Sequence, residues 1–223
     1  MRELPILFSA PMVRAILGGR KTVTRRAVGP QPQPWAEVIE MSPYVSTGPS
    51  GLTHSYGKPG HAVQRTADDQ RQHGLCKVPY QVGDRLYVRE TVRILENLDH
   101  GRARARYEAD QTYATIHGLD RLKPILNGRC VPNGCHREAA RLWLEVIDVR
   151  VERLQDITYE DAVAEGVHRA NRQWCANDER GACFQYPQQA FANLWDGLAK
   201  PGTRWADNVW VWVVEFRRIE GTR

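Results

Sequence analysis

The stretch "ILGGRKTVTRR", residues 16–26, sets an amine and a hydroxyl three positions apart, Lys21 and Thr24, just past two glycines and among Arg20, Arg25 and Arg26. A lysine becomes a useful base only when its proton affinity is pulled toward neutrality, and burial and nearby cations both push that way. The three arginines supply the cations. In one regular strand, side chains three positions apart point to opposite faces. Lys21 and Thr24 therefore cooperate only if Lys21 sits in the turn after Gly19, before the strand begins, and glycine favours such a turn. The same residues also read as a solvated strand start. A third reading is a phosphate-binding surface without chemistry, because the planar arginine fork suits phosphate.

The elements that must position this stretch follow from the patterning around it. "LPILFSAPMVRAILGG" predicts a short strand and then a helix, with Ser9 capping the first amides and Pro11 in the first turn. Met12, Val13, Ile16 and Leu17 make its apolar face, and Gly18 and Gly19 stop it. "GDRLYVRETVR" has strand character, with Leu86, Val88 and Val92 alternating against Arg85, Tyr87 and Arg89. Glu90 falls on the apolar side of that alternation. It marks where the strand leaves the core, or else pairs with an arginine of the opening stretch.

In "RLWLEVIDVRVERL", Leu142, Leu144 and Val146 share one phase while Ile147, Val149 and Val151 take the other, which predicts a bulge of the kind that curls a sheet. "ITYEDAVAEGV" predicts a short helix capped by Thr158, with Asp161 three residues later and Gly166 closing it. Glu165 then stands in the last turn against the negative end of the helix dipole, unfavourable by roughly 0.3 to 1 kcal/mol, where Lys or Arg is preferred. Such a carboxyl is a candidate proton donor, or an ordinary exposed helix end.

"YPQQAFANLWDGLA" predicts a helix burying Ala190, Phe191, Leu194, Trp195 and Leu198. "NVWVWVVEFRRI" is the clearest strand, with Trp210, Trp212, Val214 and Phe216 on one side, a pattern that suits a core better than a base-stacking platform. The sum is an α+β chain, a small mixed β-barrel with short flanking helices and long inserted loops.

The 223 residues, 42% hydrophobic and 26% charged, suit one globular unit with insertions rather than a disordered or fibrous chain. No apolar run approaches the roughly 18 residues of a membrane span, and the N-terminal segment lacks the features of a signal peptide, so a cytoplasmic protein with no membrane partner is expected. Five cysteines form an odd set without a dense disulfide pattern, which predicts free thiols. Cys130, Cys135, His136, Cys175 and Cys183 match no standard zinc spacing, so no metal is expected. The formal net charge of +5 biases the chain toward anionic partners such as nucleotides or RNA.

Through Gly19, Lys21, Thr24 and Arg26, "GRKTVTRR" resembles the Gly-x-Lys-x-x-(Thr or Glu)-x-Arg signature of the ASCH domains, in the PUA-like superfamily. "GDRLYVRET", "DITYEDAVAEGV" and "WVWVVEFRRI" resemble further segments of that family in the same order. The fuller layout, with "CKVPYQVGDRLYVRET" and "FANLWDGL", is similar to longer ASCH proteins of bacteriophages and prophages. The resemblance implies a small β-barrel whose cleft takes RNA or nucleotide-like ligands, in one domain over residues 1–223 with insertions at about 29–80, 94–140 and 168–185. One branch of the family removes the acetyl group from N(4)-acetylcytidine. By that resemblance Lys21, Thr24 and Glu165 would be catalytic, with Thr24 or a water as nucleophile. Arg20, Arg26 and Glu90 would hold substrate, and neither cofactor nor metal would be needed. A nucleic-acid or nucleotide binding module without catalysis, or a ribonuclease, is the alternative.

Overall fold

The structure, a computed structural model, describes residues 1–41, 61–65, 72–98, 101–117, 130–131, 137, 140–176 and 182–220. Its elements are β1 (Glu3–Leu7), α1 (Ala10–Leu17), β2 (Val23–Ala27), β3 (Val38–Met41), β4 (His61–Arg65), β5 (Gln72–Lys77), β6 (Arg85–Arg89), β7 (Val92–Leu98), β8 (Arg102–Tyr107), β9 (Tyr113–Ile116), β10 (Cys130–Val131), β11 (Trp143–Arg153), α2 (Tyr159–Ala164), β12 (His168–Ala170), β13 (Gln173–Cys175), β14 (Cys183–Phe184), α3 (Pro187–Asp196) and β15 (Trp210–Ile219). The architecture is α+β and sheet-rich. Its main sheet runs β1-β6-β11-β15-β2, with β1 and β6 parallel and the other pairs antiparallel.

The phase slip in β11 is a register shift between Val146 and Asp148, which leaves Ile147 exposed and returns Val149 to the core. Alternation on β15 then divides the interior. Trp212, Val214 and Phe216 join a cluster with Val13 and Ile16 of α1, while Val211 and Val213 join one with Ala162, Ala190 and Phe191. Each such valine, isoleucine or phenylalanine, fully buried, contributes roughly 1.5 to 3 kcal/mol. β2 is paired on one edge to β15, so its Val23 and Ala27 face the second cluster and its Thr24 and Arg26 the first.

The helix ends set the site. Ser9 precedes α1 with extended backbone, but its side chain makes no capping bond, a correction to the sequence expectation; its carbonyl alone accepts, from the Val13 amide at 2.9 Å. Gly18 caps the far end and Gly19 turns the chain with φ of 71°, so that the Arg20 and Lys21 amides both donate to the Ala15 carbonyl. Thr158 caps α2 as expected, accepting from the Asp161 amide at 3.0 Å. α3 ends at Asp196, so Leu198 lies beyond it and is 63% exposed rather than buried.

The three segments read as inserted loops contain small sheets, β3-β4-β5, β10-β7-β8-β9 and β12-β13-β14. In β8 the inward residues are Ala103, Ala105 and Tyr107, and alanine is too weak a hydrophobe to mark the alternation. The expectation of free thiols is also corrected. Cys175 and Cys183 form a disulfide, because antiparallel pairing of β13 with β14 sets them directly opposite, Cα atoms 4.5 Å apart. Cys76 is a free thiol. Cys135 and His136 lie outside the described residues. Among the described residues no helix is long and apolar enough to cross a membrane.

Gly166 follows α2 at φ of 102°, and a Cβ there would meet the Cβ of Ala15 at 3.1 Å and that of Lys21 at 3.2 Å. Gly202 has φ of 80° with nothing within 4 Å. Gly166→Ala should cost roughly 2 to 3 kcal/mol and Gly202→Ala roughly 1 kcal/mol, the difference being crowding against the Lys21 turn. Urea denaturation of both variants checks this; equal losses would contradict it.

Candidate functional site

Lys21 occupies the turn between α1 and β2, as the opposite-face argument requires. The Thr22 amide donates to the Ala164 carbonyl at 2.9 Å, and the Thr22 carbonyl accepts from the Phe216 amide at 2.8 Å, so the turn is held between the end of α2 and β15. The Lys21 side chain is 0% exposed. Its Nζ donates to the Val23 carbonyl at 2.8 Å, the Glu165 carbonyl at 2.9 Å and Glu165 Oε2 at 2.6 Å. All three ammonium protons therefore have acceptors. Burial lowers the lysine's proton affinity; Glu165 works the other way, and Arg26 and Arg25 add to the lowering.

Glu165 caps α2 and is itself buried. The cation that a helix C-terminus prefers is present, supplied by Lys21 from a distant segment rather than by α2 itself. Glu165 Oε1 also faces Arg25 Nη1 at 3.5 Å. With cations on both oxygens, the resting Glu165 is an acceptor in an ion pair. This corrects the expectation, drawn from the helix dipole alone, of a carboxyl that stands ready to donate.

Arg25 is the hub that sequence reasoning left without a role of its own. It is fully buried and donates to Glu152 Oε1 at 2.5 Å and Asp161 Oδ2 at 2.6 Å, with its guanidinium 5.9 Å from the Phe191 ring centre. Asp161 also accepts from Arg150 at 2.5 Å. The alternation of Val23 and Arg25 toward one face, together with acids at 152 and 161, was the available signal. Arg26, on the opposite face, donates to Thr24 Oγ1 at 3.1 Å and to the Leu7 carbonyl at 2.9 Å, with its guanidinium 5.5 Å from the Phe8 ring centre. Lys21 Nζ lies 5.6 Å from that same ring. Burial pushes the Arg26 guanidinium's proton affinity down, and Glu165 works against that.

Lys21, Thr24, Arg26 and Glu165 thus gather around Phe8 and the end of α2. Thr24 is linked to Arg26, with no hydrogen bond to Lys21 or Glu165 among the described residues. Arg20 is exposed on the outer side of the turn. Glu90 is buried as its position in the alternation indicated, but its partner is Arg141, Nε to Oε1 and Nη2 to Oε2 both at 2.8 Å, and not an arginine of the opening stretch. Arg141 comes from the segment just before β11, which pairs antiparallel with β6 from Trp143 opposite Tyr87, and sequence separation hid that pairing.

A cavity of about 350 Å³ lies between β2 and α3, lined by Arg25, Arg26, Glu165, Phe191, Trp195 and Lys200 among others. A second, of about 290 Å³, lies on the other side of the turn, lined by Gly19, Lys21, Thr22, Glu215, Phe216 and Arg217 among others. The first has the size of a small-molecule site and the usual mix of apolar walls and a few charges. Leu194 and Trp195 are half-buried because they face it. The chain is thus a sheet-rich α+β protein with a buried cation-carboxylate cluster beside a cavity of ligand size. Comparison with protein-family models, with curated proteins and with solved structures returns no match.

Removing one member of a buried pair strands the other charge, at a cost of roughly 3 to 5 kcal/mol. Glu165→Gln should lose that much, and Lys21→Met/Glu165→Leu should recover part of it. The pH dependence has a definite sign. The unfolded chain holds the lysine proton up to about 10.5, and the folded chain releases it earlier. Between the lowered value and 10.5 the unfolded state binds more protons, so stability rises with pH. The rise should begin at lower pH in Glu165→Gln, where the carboxylate that supports the ammonium is gone. Urea midpoints from about pH 6 to 10 test it; identical profiles for wild type and Glu165→Gln would contradict it.

Proposed function

We propose that the chain is an ASCH-type domain, its main sheet curled toward a small mixed barrel by the β11 bulge, and that it acts as a nucleoside-directed amidohydrolase on N(4)-acetylcytidine or a related acylated nucleoside. The observation that carries this reading is the 2.6 Å contact between Lys21 Nζ and Glu165 Oε2, which joins two of the three expected catalytic groups beside a cavity that Glu165 and Arg26 line. That ion pair is one proton transfer away from the working state. Moving the shared proton from Nζ to Oε2 leaves a neutral amine and a carboxylic acid, the base and the acid that amide hydrolysis needs.

Lys21 then takes the proton of Thr24 or of a water, and the resulting oxygen attacks the acyl carbon. As the carbon–nitrogen bond breaks, Glu165 delivers its proton to the departing exocyclic amine. With water as nucleophile the products are cytidine and acetate; with Thr24, cytidine leaves first and one water then cleaves the acyl-enzyme to acetate and free Thr24. Arg26 already donates to Thr24 Oγ1, and its charge suits a developing oxyanion. The apolar wall of Phe191 and Trp195 suits a pyrimidine ring.

A second reading, a nucleotide or RNA binder without chemistry, draws support from the closure of the cluster. Lys21 is 2% and Thr24 1% exposed, so in this conformation neither meets solvent. Catalysis requires the turn or α3 to open.

Incubation with N(4)-acetylcytidine and chromatographic detection of cytidine separates the two. The amidohydrolase reading expects release by the wild type, a loss of at least about 100-fold in Lys21→Ala, and a rate that falls as pH rises through the lowered lysine value, where the pair loses the proton that Glu165 must deliver. Binding of the nucleoside without release would favour the second reading. No release and no binding would sink both.

A further inference from the structure

The sheet β10-β7-β8-β9 has two unlike faces. One carries Val92, Ile94, Ala103, Ala105, Tyr107 and Ile116 into a core of its own. On the other, β8 repeats arginine at 102, 104 and 106. Antiparallel register places Arg93 of β7 opposite Arg106, and on the far side Tyr113 and Thr115 of β9 opposite Arg106 and Arg104. Directly opposed residues point to the same face, so four arginines, a tyrosine and a threonine share it. Among the described residues two acids share it as well. Glu108 bridges Arg93 at 2.9 Å and Arg106 at 3.0 Å, and Glu96 stands opposite Arg104. Among the described residues the arginines outnumber these acids, and the face they make is positive.

Packing does not ask for arginine here. A solvated strand face is satisfied by any polar residue, and like charges at alternate positions on one strand repel. Side chains at such positions recur at about 6.8 Å, comparable with the separation of neighbouring phosphates along an extended single strand, and each guanidinium can take a phosphate through two parallel donors. The Nε of Arg106 is buried with no hydrogen-bond partner among the described residues, while its Nη2 donates to Glu108. Tyr113 is 61% exposed beside this row, where a flat ring serves for stacking an unpaired base.

We propose that this face of the sheet is a binding track for single-stranded nucleic acid, with Arg102, Arg104 and Arg106 on successive phosphates and Tyr113 under a base. It lies outside the Lys21 cluster and does not depend on the amidohydrolase reading. An acidic polypeptide would match the charge but has no base to place on Tyr113. Duplex would match the phosphates but keeps its bases stacked.

The test is fluorescence anisotropy with labelled 12-nucleotide oligo(U), oligo(dT), a duplex of equal length and polyglutamate, at several salt concentrations. The wild type should bind the single strands best, and the stronger of the two identifies RNA or DNA. Arg102→Ala/Arg104→Ala should weaken binding at least tenfold at low salt and reduce the slope of log affinity against log salt by about 1.4, at roughly 0.7 for each phosphate left without its arginine. Tyr113→Ala should weaken it roughly tenfold with the slope unchanged. Arg217→Ala/Arg218→Ala removes equal charge from β15 and should have little effect. Thermal melting of each variant separates misfolding from weakened recognition. No binding, equal losses in the two double-arginine variants, preference for duplex or polyglutamate, or indifference to Tyr113→Ala overturns the proposal.

Discussion

The structure turns on an ammonium group withdrawn from the surface. Lys21 leaves the surface at the end of α1 and places its charge among three oxygens, two of them from Glu165. Desolvating an ammonium costs several kcal/mol, and only close acceptors of opposite or partial negative charge offset it. Everything nearby serves that geometry. Gly19 turns the chain, Gly166 leaves room for the lysine stem, Thr158 caps the helix that presents Glu165, and β15 holds the Thr22 carbonyl.

Around that pair the charges alternate. Arg25 ties Glu165, Asp161 and Glu152 together, and Arg150 closes the far side on Asp161. Such a network fixes the angle of α2 against β2 and β11 more than it adds stability, because ion pairs removed from water gain little net free energy. Its functional consequence is a rigid floor. Arg25, Arg26 and Glu165 reach the cavity under α3 with their orientations already set, so a ligand entering there meets placed charges rather than mobile ones.

Much of this was legible from residue types. The placement of Lys21 in a turn followed from the opposite-face rule for strands, and the β11 bulge followed from the phase slip after Val146. What sequence could not supply were contacts between remote segments. The partner of Glu90 depended on β11 pairing with β6, and the acids around Arg25 arrive from β11 and α2. The helix dipole alone pointed to Glu165 as a donor, and the lysine 144 residues away made it an acceptor. Weak hydrophobes concealed the strand at residues 102–107, whose inward alanines give no periodic signal, and the Cys175–Cys183 bridge followed from a hairpin register that spacing does not encode.

The central claim is that burial lowers the proton affinity of one particular amine. The chain has only five lysines, so carbon-13 labelling at lysine Cε followed by NMR titration resolves each of them, and Lys21→Arg assigns the signal. Lys21 should titrate below its four companions, and replacing Glu165 by Gln should move it lower still. Five signals titrating together near 10.5, the ordinary lysine value, would contradict the account.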